Sequence, residues 1–402
     1  MLSFEEALSE LSDKLTSVRL QVQTETVPLN EVQGRVLGED VVADRDYPPF
    51  HRSIRDGFAV CSQDTRIPGA VLDLAGEVRA GEHFPLAVES RHCVQIMTGA
   101  PLPSGTDAVV MIEHTKVHDR RVEVQRSVAA GENVVRQGSE AQKGRCILAR
   151  GRRLGAGEIG LLASVGKARV IVYRRPTVAI LPTGDEIVPV DQKPEWYQIR
   201  NSNSAMLAAQ VRSAGGVPIE TAIGPDTKEV LQKLIQEALS SDVLLLSGGV
   251  SKGKYDFVKE VLEALGAEFY FDSVAIRPGK PLVFGRVRNR FFFGLPGNPV
   301  SSFVTFELFA RPAIQVLSGA NFARPEFLRA RLGSAVRHNS GLTTFMPARV
   351  EMNPSEPIVN LVGWQGSGDL VGTAEANCFL VIHPEQTPPV AGDWIDVLPK
   401  ST

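Results

Sequence analysis

Several short stretches of this chain hold residue types that could handle a polyanion. Asp242 to Asp256 reads DVLLLSGGVSKGKYD, an apolar run that ends in Ser247, Gly248 and Gly249, passes through Ser251, Lys252 and Lys254, and reaches Asp256. Glycines let a backbone approach a ligand closely, and the free N–H groups at the start of a helix attract anions. Gly248-x-x-x-x-Gly253-Lys254 follows a phosphate-binding loop until Tyr255 stands where a Ser or Thr would hold magnesium, which excludes an ordinary nucleoside triphosphatase. Asp256 follows at once. A carboxylate oxygen suits Mg²⁺, although a carboxylate there could equally cap the next helix.

Four more segments offer related chemistry. LPTGDEI carries Asp185 and Glu186, GPD carries Asp226, AIRPGKP carries Arg277 and Lys280, and LPGNP (Pro296, Gly297, Asn298, Pro299) offers backbone N–H groups. Carboxylates and cations share a cleft without waste when a metal ion and a polyanion lie between them. Each segment also has a plainer reading: Asp226 with Glu229 as a helix capping box, and Asp185 with Glu186 as a solvated turn. Further upstream, Asp56 precedes Gly57 in HRSIRDGFAV, Thr98 precedes Gly99 in QIMTGAPLPSGTD, and Arg136 and Glu140 flank Gly138. Taken singly, these are turn residues.

These residues need elements to position them. Val243–Leu246 has the uninterrupted apolar character of a strand buried on both faces, and FVKEVLEALG has the spacing of a helix that stops at Gly266. Between Pro176 and Gly319 strands and helices alternate, as βαβ units require, with NSAMLAAQVRSAGG closed by Gly215. An open α/β sheet collects ligands outside the carboxyl ends of its strands, where the topology reverses, and the segments above are such ends. MLSFEEALSELSDKL reads as a helix with Ser3 and Glu6 as a capping box, and a second helical stretch ends at Gly166. Pairing the two gives a discontinuous helical linker domain, residues 1–42 and 138–174. A β-rich insertion spans 43–137, the α/β domain 175–320, and a small β-barrel or sandwich 321–402.

The chain has 402 residues, 43% of them apolar, and a formal charge of −3, so nothing global points to nucleic acid or an anionic membrane. Cys61, Cys93, Cys146 and Cys378 form no C-x-x-C pair, and the seven histidines form no metal-binding pattern. Reduced thiols, no membrane span and a cytoplasmic location are the expectation.

RDGFAV, IMTGAPLPSGTDAVV, LPTGDEI, LSGGVSKGKYD, IRPGKP and GLPGNPVS, in this order, closely resemble the signatures of the MoeA family of molybdopterin molybdenumtransferases, to which the gephyrin E domain also belongs. The resemblance implies a multidomain α/β plus β protein. Its doubly wound domain is similar to the MoaB and Mog adenylyltransferases, and a helical linker domain, an inserted β domain and a C-terminal β-barrel accompany it. It implies a homodimer with its site between subunits, and insertion of molybdate into adenylylated molybdopterin with Mg²⁺-assisted release of AMP. It also implies that a molybdopterin adenylyltransferase and apo-molybdoenzymes are partners.

Family functional positions fall on Asp56, Thr98, Glu140, Glu186, Asp226, Asp256, Pro296 and Pro299. Glu186, Asp226 and Asp256 are the expected metal ligands, and Ser247, Gly248, Gly249, Ser251, Lys252, Lys254, Arg277, Lys280, Gly297, Asn298 and Arg136 the expected substrate contacts. The chain departs from the family at Glu140, where Asp is usual, and at Arg55 and Phe58, which replace the Met and Tyr of MDGYA. The phenolic hydroxyl is thereby expected to be missing beside Asp56. A non-catalytic molybdopterin-binding scaffold and a molybdopterin adenylyltransferase are the competing functions.

Overall fold

Strand Thr177–Pro182 sends Val178 and Ile180 to one side and Ala179 and Leu181 to the other, and both sides are buried, as a central strand of a doubly covered sheet requires. The computed structural model describes residues 1–16, 22–249, 257–336, 341–353, 356–384 and 387–400. Thr177–Pro182 lies in a six-stranded sheet ordered Val217–Glu220, Thr177–Pro182, Val243–Ser247, Arg290–Leu295, Val283–Val287, Glu268–Phe271. The first four strands are parallel, and Val283–Val287 runs antiparallel to both its neighbours. Helix Ser202–Ala214 covers one face through Leu207, Ala208 and Val211. Helices Lys228–Ala238 and Phe257–Ala264 cover the other through Leu231, Ile235, Val258 and Val261. The sheet is therefore doubly wound, and its direction of growth reverses between Thr177–Pro182 and Val243–Ser247.

Helix Phe4–Thr16 begins with the expected box, Ser3 N–H to Glu6 Oε2 at 2.8 Å and Glu6 N–H to Ser3 Oγ at 3.2 Å. Grouped above with the helix before Gly166, it instead buries Phe4, Leu8, Leu11 and Leu15 in the core of the α/β sheet, with the Phe4 ring 5.8 Å from that of Phe345. The other helix, Ala156–Ser164, falls in a different compact unit. The apolar stripe fixed that the first helix packs; only the available surface decided against what. The two flanks of the insertion are joined by antiparallel pairing of Thr24–Pro28 with Arg169–Tyr173 and of Val41–Val42 with Cys146–Leu148.

The chain divides into two compact units, one formed by Met1–Gly38, Gly151–Gly155 and Arg169–Thr402, the other by Glu39–Arg150 and Ala156–Ala168. In the first, strands Leu328–Leu332, Thr343–Met352, Pro357–Leu361, Cys378–Ile382 and Trp394–Pro399 close into a five-stranded barrel, because Thr343–Met352 pairs with both Pro357–Leu361 and Cys378–Ile382. The short strand Ile276–Arg277 adds to Thr343–Thr344, and Phe303 packs on Phe379, so barrel and sheet share one core. The second unit holds a six-stranded sheet of Ala108–Met111, Gly57–Val60, His92–Ile96, Ala70–Val78, Arg121–Val124 and Thr115–His118. Among the described residues no helix is long and apolar enough to cross a membrane.

Candidate functional site

The carboxyl ends of Thr177–Pro182 and Val243–Ser247 open into a cleft of about 690 Å³ at the reversal point of the sheet. Thr183 and Gly184 continue one strand, and Gly248 and Gly249 continue the other beyond its last residue, Ser247. The glycines are demanded by contact: a Cβ on Gly248 would stand 2.6 Å from the Thr183 carbonyl oxygen, and one on Gly249 would stand 2.7 Å from Thr183 Oγ1. Pro296, Gly297, Asn298 and Pro299 form a third wall.

Helix Ser202–Ala214 starts at the cleft. Asn201 caps it by accepting from Ser204 N–H at 3.1 Å, and Asn201, Ser202 and Asn203 all line the space. Asn203 is buried, and its Nδ2 donates to Ser247 Oγ at 2.9 Å and to the Gly297 carbonyl at 2.8 Å. Thr183 Oγ1 and Asn203 Oδ1 are buried and have no hydrogen-bond partner among the described residues.

Glu186 and Asp226 line the same cleft. The plainer reading of Asp226 as a helix cap is set aside, since Thr227 is the N-cap residue of Lys228–Ala238 and makes no side-chain cap bond. The chain turns one residue later than a capping box needs, because Asp226 N–H donates instead to Asp185 Oδ1 at 3.0 Å. Partial burial, then the charges of Asp185 and Glu186, hold the Asp226 carboxyl above its ordinary range. Asp185 is exposed and does not line the cleft. Arg277 and Lys280 are exposed and form no ion pair among the described residues; it is Pro281, beside Lys280, that lines the cleft. Ser251, Lys252, Lys254 and Asp256 lie outside the described residues. Among those described, no three His, Cys, Asp or Glu side chains gather as a metal site.

Sequence reading missed Thr183, Asn203 and Arg200 as cleft residues, along with the barrel's contribution. Gly368 and Leu370 line the cleft, while Asn298 Nδ2 donates to Ser367 Oγ at 2.9 Å and Val300 N–H donates to the Ser367 carbonyl at 2.9 Å. Gly366, Ser367 and Gly368 have the composition of a turn, and only the tertiary structure shows that it reaches Asn298.

The other unit assembles its own group. Asp56 Oδ1 accepts from Thr98 N–H at 2.7 Å and from Thr98 Oγ1 at 2.9 Å, and these two bonds, the backbone one first, hold its carboxyl below the ordinary range. Gly57 begins a strand rather than a turn: a Cβ there would stand 2.0 Å from the Val110 carbonyl oxygen. Arg52 donates to Glu140 at 3.1 Å, and the Ser53 carbonyl accepts from Gly99 N–H at 2.9 Å, so the 52–56 and 98–99 segments run together. Arg136 is exposed, and so is Arg55. The expectation for Phe58 is corrected. Its ring is 1% exposed, packed with Val60, Leu72 and Cys93, so the missing hydroxyl concerns the core and not Asp56.

Three family models cover most of the chain: the MoeA N-terminal region (domains I and II) over residues 2–166, a probable molybdopterin binding domain over 179–316, and the MoeA C-terminal region (domain IV) over 329–400. The molybdopterin molybdenumtransferase of Haemophilus influenzae is 34% identical over 403 residues, covering 99% of this chain and 98% of the relative. That of Staphylococcus epidermidis is 32% identical over 400 residues, covering 98% and 95%. The crystal structure of a molybdopterin biosynthesis MoeA protein from Pyrococcus horikoshii superposes with a TM-score of 0.85 at 28% identity, covering all of both chains.

Proposed function

Because the chain belongs to the MoeA family, we propose that it is a molybdopterin molybdenumtransferase acting at the cleft between Thr177–Pro182 and Val243–Ser247. The observation that carries this reading is the convergence there of two acidic side chains, Glu186 and Asp226, with two glycine-lined strand ends and the start of a thirteen-residue helix. That combination suits a polyanion held together with a cation. The substrate is adenylylated molybdopterin and the second substrate molybdate. Hydrolysis of the phosphoanhydride takes up one water and releases AMP, and the dithiolene sulfurs then take the metal as oxo oxygens leave as water.

Glu186 and Asp226 offer hard oxygen donors, and the raised proton affinity of Asp226 is what a neighbouring cation would relieve. One or two carboxylates plus phosphate oxygens and waters are a set that Mg²⁺ accepts, so these residues fit it, with Asp256 as a third candidate. When bound, Mg²⁺ supplies neutralisation of the charge that builds on the phosphate oxygens. The protein's own groups do the rest. The Gly248–Gly249 and Pro296–Pro299 backbones bring the substrate close, and Arg277, Lys280, Lys252 and Lys254 are the cations to balance the oxyanions. Asp56, Thr98, Arg136 and Glu140 complete the site from the second subunit of a homodimer, and the setting is cytoplasmic.

The test supplies purified protein with adenylylated molybdopterin, molybdate and Mg²⁺ and follows AMP release and transfer of active cofactor to an apo-molybdoenzyme. Magnesium-dependent release of AMP supports the reading. Tight binding without release would make the protein a scaffold, and consumption of ATP with molybdopterin alone would make it an adenylyltransferase.

A further inference from the structure

Trp196 is 93% exposed and its neighbour Tyr197 60%. Tryptophan is seldom left so bare, and a large exposed aromatic is informative where it adjoins a binding site. Both rings sit on the connection 189–198, whose two feet, Ile187–Val188 and Ile199–Arg200, pair in parallel. Ile187, Ile199 and Arg200 line the cleft described above. The connection is tied along its length: Gln192 N–H donates to the Pro189 carbonyl at 3.1 Å, Gln198 N–H to the Glu195 carbonyl at 3.0 Å, Glu195 N–H to Gln198 Oε1 at 3.1 Å, and Arg200 Nε to the Gln192 carbonyl at 3.1 Å. The two rings meet edge to face, with centroids 5.5 Å apart and an interplanar angle of 81°, so they brace each other while their outer faces meet solvent.

We propose that Trp196 and Tyr197 form a stacking platform at the mouth of the cleft for a flat heteroaromatic ring of the bound substrate. This rests on the reading that the substrate is adenylylated molybdopterin, which carries two such rings, adenine and pterin. The surroundings favour a ligand ring over a protein partner. Asp191, Lys193 and Glu195 are exposed beside the pair, so charge is interspersed among the exposed side chains of Val190, Trp196, Tyr197 and Ile199. Stacking on an aromatic side chain needs one ring face and tolerates charged neighbours.

Calorimetry and tryptophan emission on the full chain test this with three probes: AMP, pterin-6-carboxylate and ribose 5-phosphate. The expected result is that AMP or the pterin quenches emission and that Trp196→Ala weakens that probe about tenfold, in line with measured base–aromatic stacking. Trp196→Phe should restore most of the affinity, and ribose 5-phosphate should bind wild type and Trp196→Ala alike. The probe that responds identifies the ring. Unchanged affinity of Trp196→Ala for both ring-bearing probes overturns the platform while leaving the transferase reading intact. So does an equal loss for ribose 5-phosphate, which marks a general disturbance, or a change in sedimentation without any change in affinity, which marks a protein contact. Failure of wild type to bind any of the three probes counts against the nucleotide reading of the cleft and removes the platform with it.

Discussion

Asn203 Nδ2 lies 2.8 Å from the Gly297 carbonyl oxygen, which joins the first turn of helix Ser202–Ala214 to the loop that follows strand Arg290–Leu295. A carbonyl only accepts, so the amide orientation is fixed, and the same nitrogen reaches Ser247 Oγ. One buried side chain thus ties three walls of the cleft. Asn203→Asp turns a donor into an acceptor facing the Gly297 carbonyl. Urea unfolding should show a loss of about 1–3 kcal/mol, the range for a broken buried hydrogen bond. KM for adenylylated molybdopterin should rise in the variant while secondary structure is kept. A wild-type unfolding midpoint would show that the amide ties nothing.

Asp226 has its folded pKa raised, so the folded state takes up protons there relative to the unfolded chain. Its favourable contribution is full below the ordinary carboxylate value of about 3.9 and is lost as pH rises through the raised folded value. Asp226→Asn removes this dependence. Thermal melts should find the variant at least as stable as wild type at neutral pH, with the difference shrinking on acidification, although AMP release is lost. Added Mg²⁺ should raise the melting temperature of wild type more than that of the variant. Equal magnesium shifts would remove Asp226 from the ligand set.

Asp56 shows the opposite sign. Its carboxyl is held below the ordinary range, chiefly by Thr98 N–H and then by the Thr98 hydroxyl. Stability from this pair is present above the unfolded pKa and is lost as pH falls through the folded one. Thr98→Val keeps the backbone donor and deletes the hydroxyl, so the Asp56 pKa should move upward, and an NMR carboxyl titration reads this directly. The acid limb of the activity profile should move to higher pH with it. No movement would mean that the hydroxyl is irrelevant to Asp56.

Gly248 has φ of 95°, and its missing Cβ would stand 2.6 Å from the Thr183 carbonyl oxygen. That neighbour is backbone and cannot swing away, so Gly248→Ala should cost roughly 1–3 kcal/mol through strain and overpacking. Activity should fall further than stability alone explains, because the displaced strand end is a wall of the cleft. A fully active Gly248→Ala enzyme would place the chemistry elsewhere.

What the sequence alone determined is whatever a few neighbouring residues decide. The Ser3–Glu6 box, the Gly215 stop with its φ of 94°, the apolar run Val243–Leu246 of a strand buried on both faces and the ordered family motifs were all legible, because a helix turn spans four residues and a doubly buried strand is a short unbroken apolar run. Tertiary structure decided the destinations. Asp226 has the type and position of a helix cap, yet the turn built on Asp185 carries it into the cleft. Phe58 follows Asp56 by two residues, yet sheet packing takes its ring into the core. Helix Phe4–Thr16 meets the α/β sheet, and Ser367 reaches Asn298, across separations of hundreds or tens of residues. Local pattern records which face of an element is apolar and which turns can form. Which distant surface meets that face depends on how volume is filled throughout the core, and no short stretch contains that information.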